Sequence, residues 1–242
     1  MSCSALYPVN LKLHDRLCVV IGGGNVALRK IRSLLACGAV VRIVSSNVLY
    51  DLAKIIREHR LEWLKRDYVE GDLQGAFLAF AATSDPVVQQ QVKEEAERYK
   101  IILNSADDPV GSNFHVPAHF RRGELLVTVS TGGSSPALSK QLREWLEQEI
   151  GLEYESVVGF LALVRDAVVS RDNDSTVHKE LFQNLLKVDI VKLIRDKNWF
   201  DLQMMLLQEL PEEVDSVALL KDFLEVYDNS VSHEGNKNQE IE

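Results

Sequence analysis

Between a short apolar run, Leu17–Ile21 (LCVVI), and a helix-periodic stretch that begins at Asn25, the chain reads Gly22-Gly23-Gly24-Asn25-Val26-Ala27. A strand that meets three glycines and turns at once into a helix has few folds open to it. The segment satisfies Gly-x-Gly-x-x-Ala, with Gly22, Gly24 and Ala27 in the three positions. Gly22 permits a tight turn, Gly24 lets a pyrophosphate approach the backbone, and Ala27 allows helix and strand to pack closely. The free N–H groups and the dipole at the helix start favour negative phosphates. A tight turn with no ligand is the plain alternative, and the flanking strand–helix–strand pattern counts against it. Gly22, Gly23, Gly24, Asn25, Val26 and Ala27 are therefore candidate cofactor contacts.

The flanking pattern is regular. Ala27, Ile31, Leu34 and Leu35 recur at helical spacing, and Cys37-Gly38 ends the helix. Val40–Val44 (VVRIV) reads as a second strand, 48–59 as a helix, Leu61–Leu64 as a third strand and Ala76–Ala82 (AFLAFAA) as a fourth. Val88, Val92, Ala96 and Tyr99 mark the next helix, and Ile101–Leu103 a fifth strand ending at Asn104. Strands alternating with helices predict an α/β fold, a Rossmann-type doubly wound parallel sheet. The rhythm then changes. Leu125–Ser130 (LLVTVS) is one more strand, Thr131–Ser134 a glycine-containing turn, and Ser135-Pro136 opens a helix to about Ile150. Beyond Gly151 the spacing is helical throughout, with Val157, Phe160, Leu161, Val164 and Val168 on one face. Further helices are expected near 177–187, 188–196, 199–209 and 214–228, and a polar, disordered tail from Ser230.

In open sheets of this kind, ligands bind at the carboxyl ends of the strands. Those ends supply Ser45, Ser46 and Asn47 after the second strand, Thr83 after the fourth and Asn104 at the fifth, all candidate cofactor contacts. No Asp or Glu follows the second strand to take a ribose 2′-hydroxyl, and no arginine stands there to bind a 2′-phosphate. The expected cofactor is NAD, with the choice against NADP only weakly marked.

Charge narrows the function classes. Residues 1–150 carry 18 basic and 17 acidic side chains, a net of +1; residues 151–242 carry 9 and 19, a net of −10. A nucleic-acid binder shows a basic stripe, which this chain lacks. No apolar stretch approaches the roughly 18 residues of a membrane helix. Met1–Pro8 lacks the basic start and apolar run of a secretory signal, and Cys3, Cys18 and Cys37 show no metal-type spacing. These features predict a cytoplasmic protein with reduced thiols.

A second cluster spans 104–136, NSADDPVGSNFHVPAHFRRGELLVTVSTGGSSP. Asp107 and Asp108 before Pro109 form either a capped turn or a carboxylate pair at a ligand-binding strand end. Thr131-Gly132-Gly133 offers a nest of backbone N–H groups suited to an anion. Arg121, Arg122, Lys140 and Arg143 supply cations near it in sequence, although exposed basic residues on a helix are more often simply solvated.

The run Tyr7–Leu13, GGGNVALRK, NSADDP, NFHVPAHFRRG and VSTGGSSPALSKQLREWLE, in this order, resembles the bifunctional precorrin-2 dehydrogenase / sirohydrochlorin ferrochelatase family, the N-terminal half of siroheme synthase. The similarity is strong over 7–150 and looser to about 228; nothing resembles the methyltransferase domain of fused siroheme synthases. The resemblance implies an NAD-binding domain over 1–115, a dimerisation segment over 116–150 and a small all-helical domain over 151–229, before a tail over 230–242. It implies a homodimer that oxidises precorrin-2 to sirohydrochlorin, with Asp107 as the catalytic group. Arg121, Arg122, Thr131, Gly132, Gly133, Lys140 and Arg143 are candidates for holding the carboxylates of the tetrapyrrole substrate. A serine phosphorylated in some relatives falls on Thr131, and arginines of the relatives' helical domain are not matched around His178–Glu180. Insertion of Fe²⁺ to give siroheme is left open: there is no metal-ligand motif, and His115 and His119 stand alone. A dehydrogenase of another substrate and a non-catalytic dinucleotide- or tetrapyrrole-sensing module are the rival readings.

Overall fold

The structure, a computed structural model, describes residues 6–106, 111–169 and 175–237, and of 175–178 and 228–237 the backbone alone. The chain divides into two compact units, Met1–Val116 and Pro117–Glu242.

The first unit holds a parallel sheet of five strands, β1 (Leu17–Ile21), β2 (Val40–Val44), β3 (Glu62–Leu64), β4 (Leu78–Ala81) and β5 (Ile102–Ser105), in the order β3-β2-β1-β4-β5. Because β1 is central and its neighbours are sequence-distant, its residues face apolar layers on both sides, which explains the continuous run LCVVI. Helices α1 (Asn25–Ala36) and α2 (Tyr50–Glu58) cover one face, where Ile31, Leu34, Leu52 and Ile56 pack on Cys18, Val20, Val41 and Ile43. Helix α3 (Pro86–Tyr99) covers the other, with Val92 and Ala96 against Val19, Ala79 and Leu103.

The connection from β3 to β4 carries no helix, unlike its counterparts on the other face. Residues 65–77 are instead a series of turns held by polar contacts. Arg66 binds Asp72 through both guanidinium ends, at 2.7 and 2.6 Å, and the Val69 N–H adds a third bond at 2.9 Å. The Tyr68 hydroxyl donates to buried Glu95 on α3, and Glu95 also accepts from the Leu73 N–H at 3.1 Å. These bonds satisfy groups that burial would otherwise leave costly.

The second unit begins with a hairpin of β6 (Ala118–Arg122) and β7 (Leu125–Val129), antiparallel and joined by Gly123-Glu124. Gly123 has φ of +55°, the conformation a two-residue hairpin turn requires at its first position. The strand AHFRR is not foreseen in the sequence reading, because its inward face carries only Ala118 and Phe120 before ending on a charge, Arg122. Helix α4 (Pro136–Glu149) follows, with Ser135 as its N-cap, accepting from the Leu138 N–H at 3.3 Å. Then come α5 (Glu153–Val169), α6 (Ser175–Leu185), α7 (Ile190–Arg195), α8 (Trp199–Glu209) and α9 (Ser216–Lys237). Their core gathers Phe160, Val164, Leu185, Ile194, Leu202, Leu206 and Phe223, with the rings of Phe160 and Phe223 edge-to-face at 5.2 Å. Helix α9 corrects the expected boundary of a disordered tail at Ser230: it continues to Lys237, since each residue added to a formed helix gains a backbone bond whether or not it has an apolar face. Residues 238–242 lie outside the described residues.

Candidate active site

The three glycines of the first loop stand in three different settings. Gly22 sits at φ +123°, and a Cβ there would collide with the Ala82 carbonyl at the end of β4. Gly23 has an ordinary φ, but a Cβ would run into the Asn47 carbonyl. Gly24 has φ −87° and ψ −168°, and a Cβ would meet nothing within 4 Å. The fold therefore does not need glycine at position 24, and the open space beside it leaves room for a pyrophosphate to approach the backbone. Gly24 is also the N-cap of α1 and provides no side-chain acceptor, whereas Asp85 on α3, Ser135 on α4, Asp189 on α7 and Asn198 on α8 each cap their helix. The first N–H groups of α1 thus suit an anion. Residues Gly22–Ala27 fit a dinucleotide, with buried Ala27 letting α1 sit close to the sheet.

Bonds from Gly22 N–H to Val44 O and from Leu49 N–H to Gly23 O, both 2.9 Å, tie the loop to the end of β2. Ser45, Ser46 and Asn47 stand there: the Ser45 hydroxyl donates to Asn47 O at 2.5 Å, and Ser46 and Asn47 are exposed. The Trp63 indole donates to Ser45 O at 2.9 Å. Thr83 follows β4, bonded through its hydroxyl to the Asp85 N–H at 3.2 Å and through its carbonyl to Gln89 at 2.6 Å. The loop, Ser45–Asn47 and Thr83 lie together along one end of the sheet.

Asn104 lies on β5, two places from the sheet's centre, and its amide donates to Phe114 O at 3.0 Å. Phe114 is seated on Phe80 with ring centroids 5.5 Å apart, and Lys30 covers Phe80 at 4.9 Å. Neighbouring bonds join β5 to Ser112 and Asn113, residues the sequence reading did not single out. Their only sequence signal is a polar Ser-Asn pair where the chain returns toward a strand edge. Asp107 and Asp108 lie outside the described residues.

In the second unit the strand period separates two cations that are adjacent in sequence. Arg121 is exposed on the open face of the hairpin, with His119. Arg122 points to the other face, lies over the Phe120 ring at 5.1 Å, and donates to Ile150 O at 3.1 Å and Glu147 O at 2.9 Å. It satisfies carbonyls left bare at the end of α4. Arg143 is paired with Glu147 and Glu144, and Lys140, largely exposed, lies 3.8 Å from Glu144. The Thr131 hydroxyl accepts from Ser135 N–H at 3.0 Å, donates to Ser135 O at 3.1 Å and contacts Ser139 at the same distance. Gly132 and Gly133 have φ of +62° and +87°, and the Gly132 N–H already reaches the Ser130 hydroxyl at 3.2 Å. This turn is internally bonded and puts α4's N-cap in place.

Titration marks the inert and the structural groups. Burial, with Cys37 adding to it, pushes the Cys18 thiol up to about 11, so it stays protonated. Burial alone would raise Asp72; the bonds from Arg66 and Val69 N–H, with the charges of Arg66 and Arg42, hold it below its ordinary value. Among the described residues, no three of His, Cys, Asp and Glu gather as a metal site, and no helix is long and apolar enough to cross a membrane.

Comparison with known proteins accords with this geometry. Residues 9–118 match a family described as putative NAD(P)-binding, and 122–149 one described as sirohaem biosynthesis protein, central. The siroheme synthase of Chromobacterium violaceum is 37% identical over 181 residues, 75% of this chain and 38% of that protein. That of Methylobacillus flagellatus is 40% identical over 164 residues, 68% and 35% respectively. The chain thus spans less than half the length of these relatives. The solved structure of SirC, precorrin-2 dehydrogenase, matches with a TM-score of 0.65 at 26% identity, covering 91% of this chain and 100% of that one. The chain is thus similar to siroheme synthases over part of their length, with matches to an NAD(P)-binding segment and to the sirohaem-biosynthesis central segment, and it has the fold of SirC, precorrin-2 dehydrogenase.

Proposed function

We propose that this protein oxidises precorrin-2 to sirohydrochlorin, with NAD⁺ reduced to NADH and one proton released. The observation that carries the reading is the glycine loop, open at Gly24 and uncapped at α1, in a chain similar to precorrin-2 dehydrogenase along most of its length. Bound NAD supplies the hydride acceptor; the protein supplies position and a base. Residues Gly22–Ala27 hold the pyrophosphate, Ser45–Asn47 the adenosine ribose, and Thr83 and Asn104 border the nicotinamide end. Asp107, just beyond β5, is the residue to which we assign the proton. An aspartate of ordinary pKa, about 3.9, is a weak base at neutral pH.

For the substrate's carboxylates we favour Arg121 and Lys140, whose charges are exposed, with the Gly132–Gly133 backbone. Arg122, Arg143 and Thr131 have structural partners already and contribute by holding the hairpin, α4 and the turn. A homodimer formed through 116–150 is part of this reading. Leu138, Leu142 and Trp145 are 45, 37 and 55% exposed at helical spacing on α4, an apolar stripe that a second copy would cover. We place the protein in the cytoplasm and assign its domains as 1–115, 116–150 and 151–229.

The test is to incubate the purified protein with precorrin-2 and NAD and follow both NADH and the tetrapyrrole absorbance. Coupled appearance of NADH and sirohydrochlorin is expected. Binding of both compounds with no turnover contradicts the proposal. Adding Fe²⁺ to the product asks in the same cuvette whether siroheme follows.

A further inference from the structure

Lys30 lies about one and a half turns into α1, half-buried, with its ammonium 4.9 Å from the centre of the Phe80 ring. A long side chain on a helix leans back toward the helix's N-terminus, here toward the ligand-binding end of the sheet. Phe80 stands near that end as well: it is two places before Ala82, whose carbonyl abuts Gly22, and its register partner on β5 is Asn104. β4 and β5 lie on one side of β1, and β2, with Ser45–Asn47 after it, lies on the other. The ammonium is thus on the β4–β5 side of the glycine loop, away from the residues given to the adenosine ribose. What this charge lacks is an anion. Among the described residues Lys30 makes no ion pair and no hydrogen bond, and the charge that acts on it, that of Arg29, has the same sign. Burial and Arg29 together lower its pKa to about 8. Arg42, Arg122 and Arg143, also partly buried, each hold oxygen partners. The fold leaves Lys30 bare at its ligand-binding end, where an arriving anion would stabilise it.

We propose that Lys30 is a substrate-binding residue, its ammonium taking one carboxylate of the tetrapyrrole on the β4–β5 side of the glycine loop. This rests on the reading of precorrin-2 as the substrate. The cofactor's own anion, the pyrophosphate, has its place at the start of α1, where Gly24 leaves the first N–H groups without a side-chain cap, and Lys30 lies beyond that first turn. A carboxylate arm held there sets the macrocycle beside the nicotinamide end that Asn104 borders. A hydrogen bond to a charged group in a partly buried place is among the stronger ones a substrate can form.

The experiment compares Lys30→Met, which keeps an apolar stem over Phe80 and removes the charge, with Lys30→Arg, which keeps the charge. NADH formation gives kcat and KM for precorrin-2, and fluorescence gives the Kd for NAD. Lys30→Met is expected to raise KM by about 10- to 100-fold, with kcat within about threefold and the Kd for NAD within about twofold. Lys30→Arg recovers most of the loss. A second measurement needs no variant: acetic anhydride labels the amines of the wild-type protein, and mass spectrometry reads the extent at Lys30. Saturating sirohydrochlorin, used as the stable tetrapyrrole carboxylate, is expected to protect Lys30 at least threefold, and NAD alone is not. A wild-type KM in Lys30→Met, or protection by NAD and not by sirohydrochlorin, overturns the anchor and leaves the dehydrogenase reading standing. Wild-type protein that forms no NADH from precorrin-2 overturns that reading, and the anchor with it.

Discussion

The two units differ in how completely each satisfies itself. In the first, both sheet faces are covered, the β3–β4 crossing is pinned by Arg66–Asp72 and Tyr68–Glu95, and the edge of β5 is clasped by side chains. In the second, the helices share one core, but the hairpin shows an open face and α4 an apolar stripe. Where a unit is complete, a residue the fold does not need, such as Gly24, points to a ligand. Where it is incomplete, exposure points to a partner or substrate, and a residue must first be cleared of structural work before a binding role is given to it. Arg122 fails that examination and Arg121 passes it.

The contrast can be broken at several points. Gly22→Ala should be the most damaging change, since left-handed strain adds to collision with the Ala82 carbonyl; a loss of about 3 kcal/mol or more in denaturant unfolding is expected. Arg122→Ala strips the α4 carbonyls of their donor and should cost about 2 kcal/mol, while Arg121→Ala should stay within about 0.5 kcal/mol and weaken only the binding of an anionic porphyrinoid. Equal stability losses would mean the strand period does not separate their roles. Asp72→Asn should cost about 1–2 kcal/mol at neutral pH. Because the folded protein holds this carboxyl below its ordinary value, its contribution is complete above about pH 4 and is lost as the pH falls through the lowered native value; the gap between wild type and variant should therefore close in acid. A gap that widens in acid has the wrong sign. Gly24→Ala should leave the unfolding midpoint unchanged and weaken NAD binding by about tenfold, and a loss of stability instead would return Gly24 to an ordinary turn residue.

How much was legible in the sequence follows the same division. The run LCVVI before three glycines is readable because a doubly buried strand and a phosphate turn both leave local signatures. The clasp is not, because Asn113 and Ser112 act with side chains in the role of backbone, and that has no period. The strand AHFRR hides because one of its inward residues is an arginine whose partners are carbonyls 25 and 28 residues away. Its signal was the Gly123-Glu124 turn before LLVTV. The cations of 121–143 look like one cluster in sequence; strand and helix periods sort them into structural and exposed groups. Helix α9 outruns its apolar pattern, since helix propagation asks less of sequence than helix docking does.

The central claim is that the glycine turn binds the dinucleotide while Asp107 does the proton chemistry, two separable tasks. The direct measurement compares Asp107→Asn with wild type in NAD affinity and in NADH formation from precorrin-2. The account predicts an unchanged Kd for NAD and a fall in turnover of roughly 100-fold or more. A variant that binds NAD and oxidises precorrin-2 at the wild-type rate would contradict it.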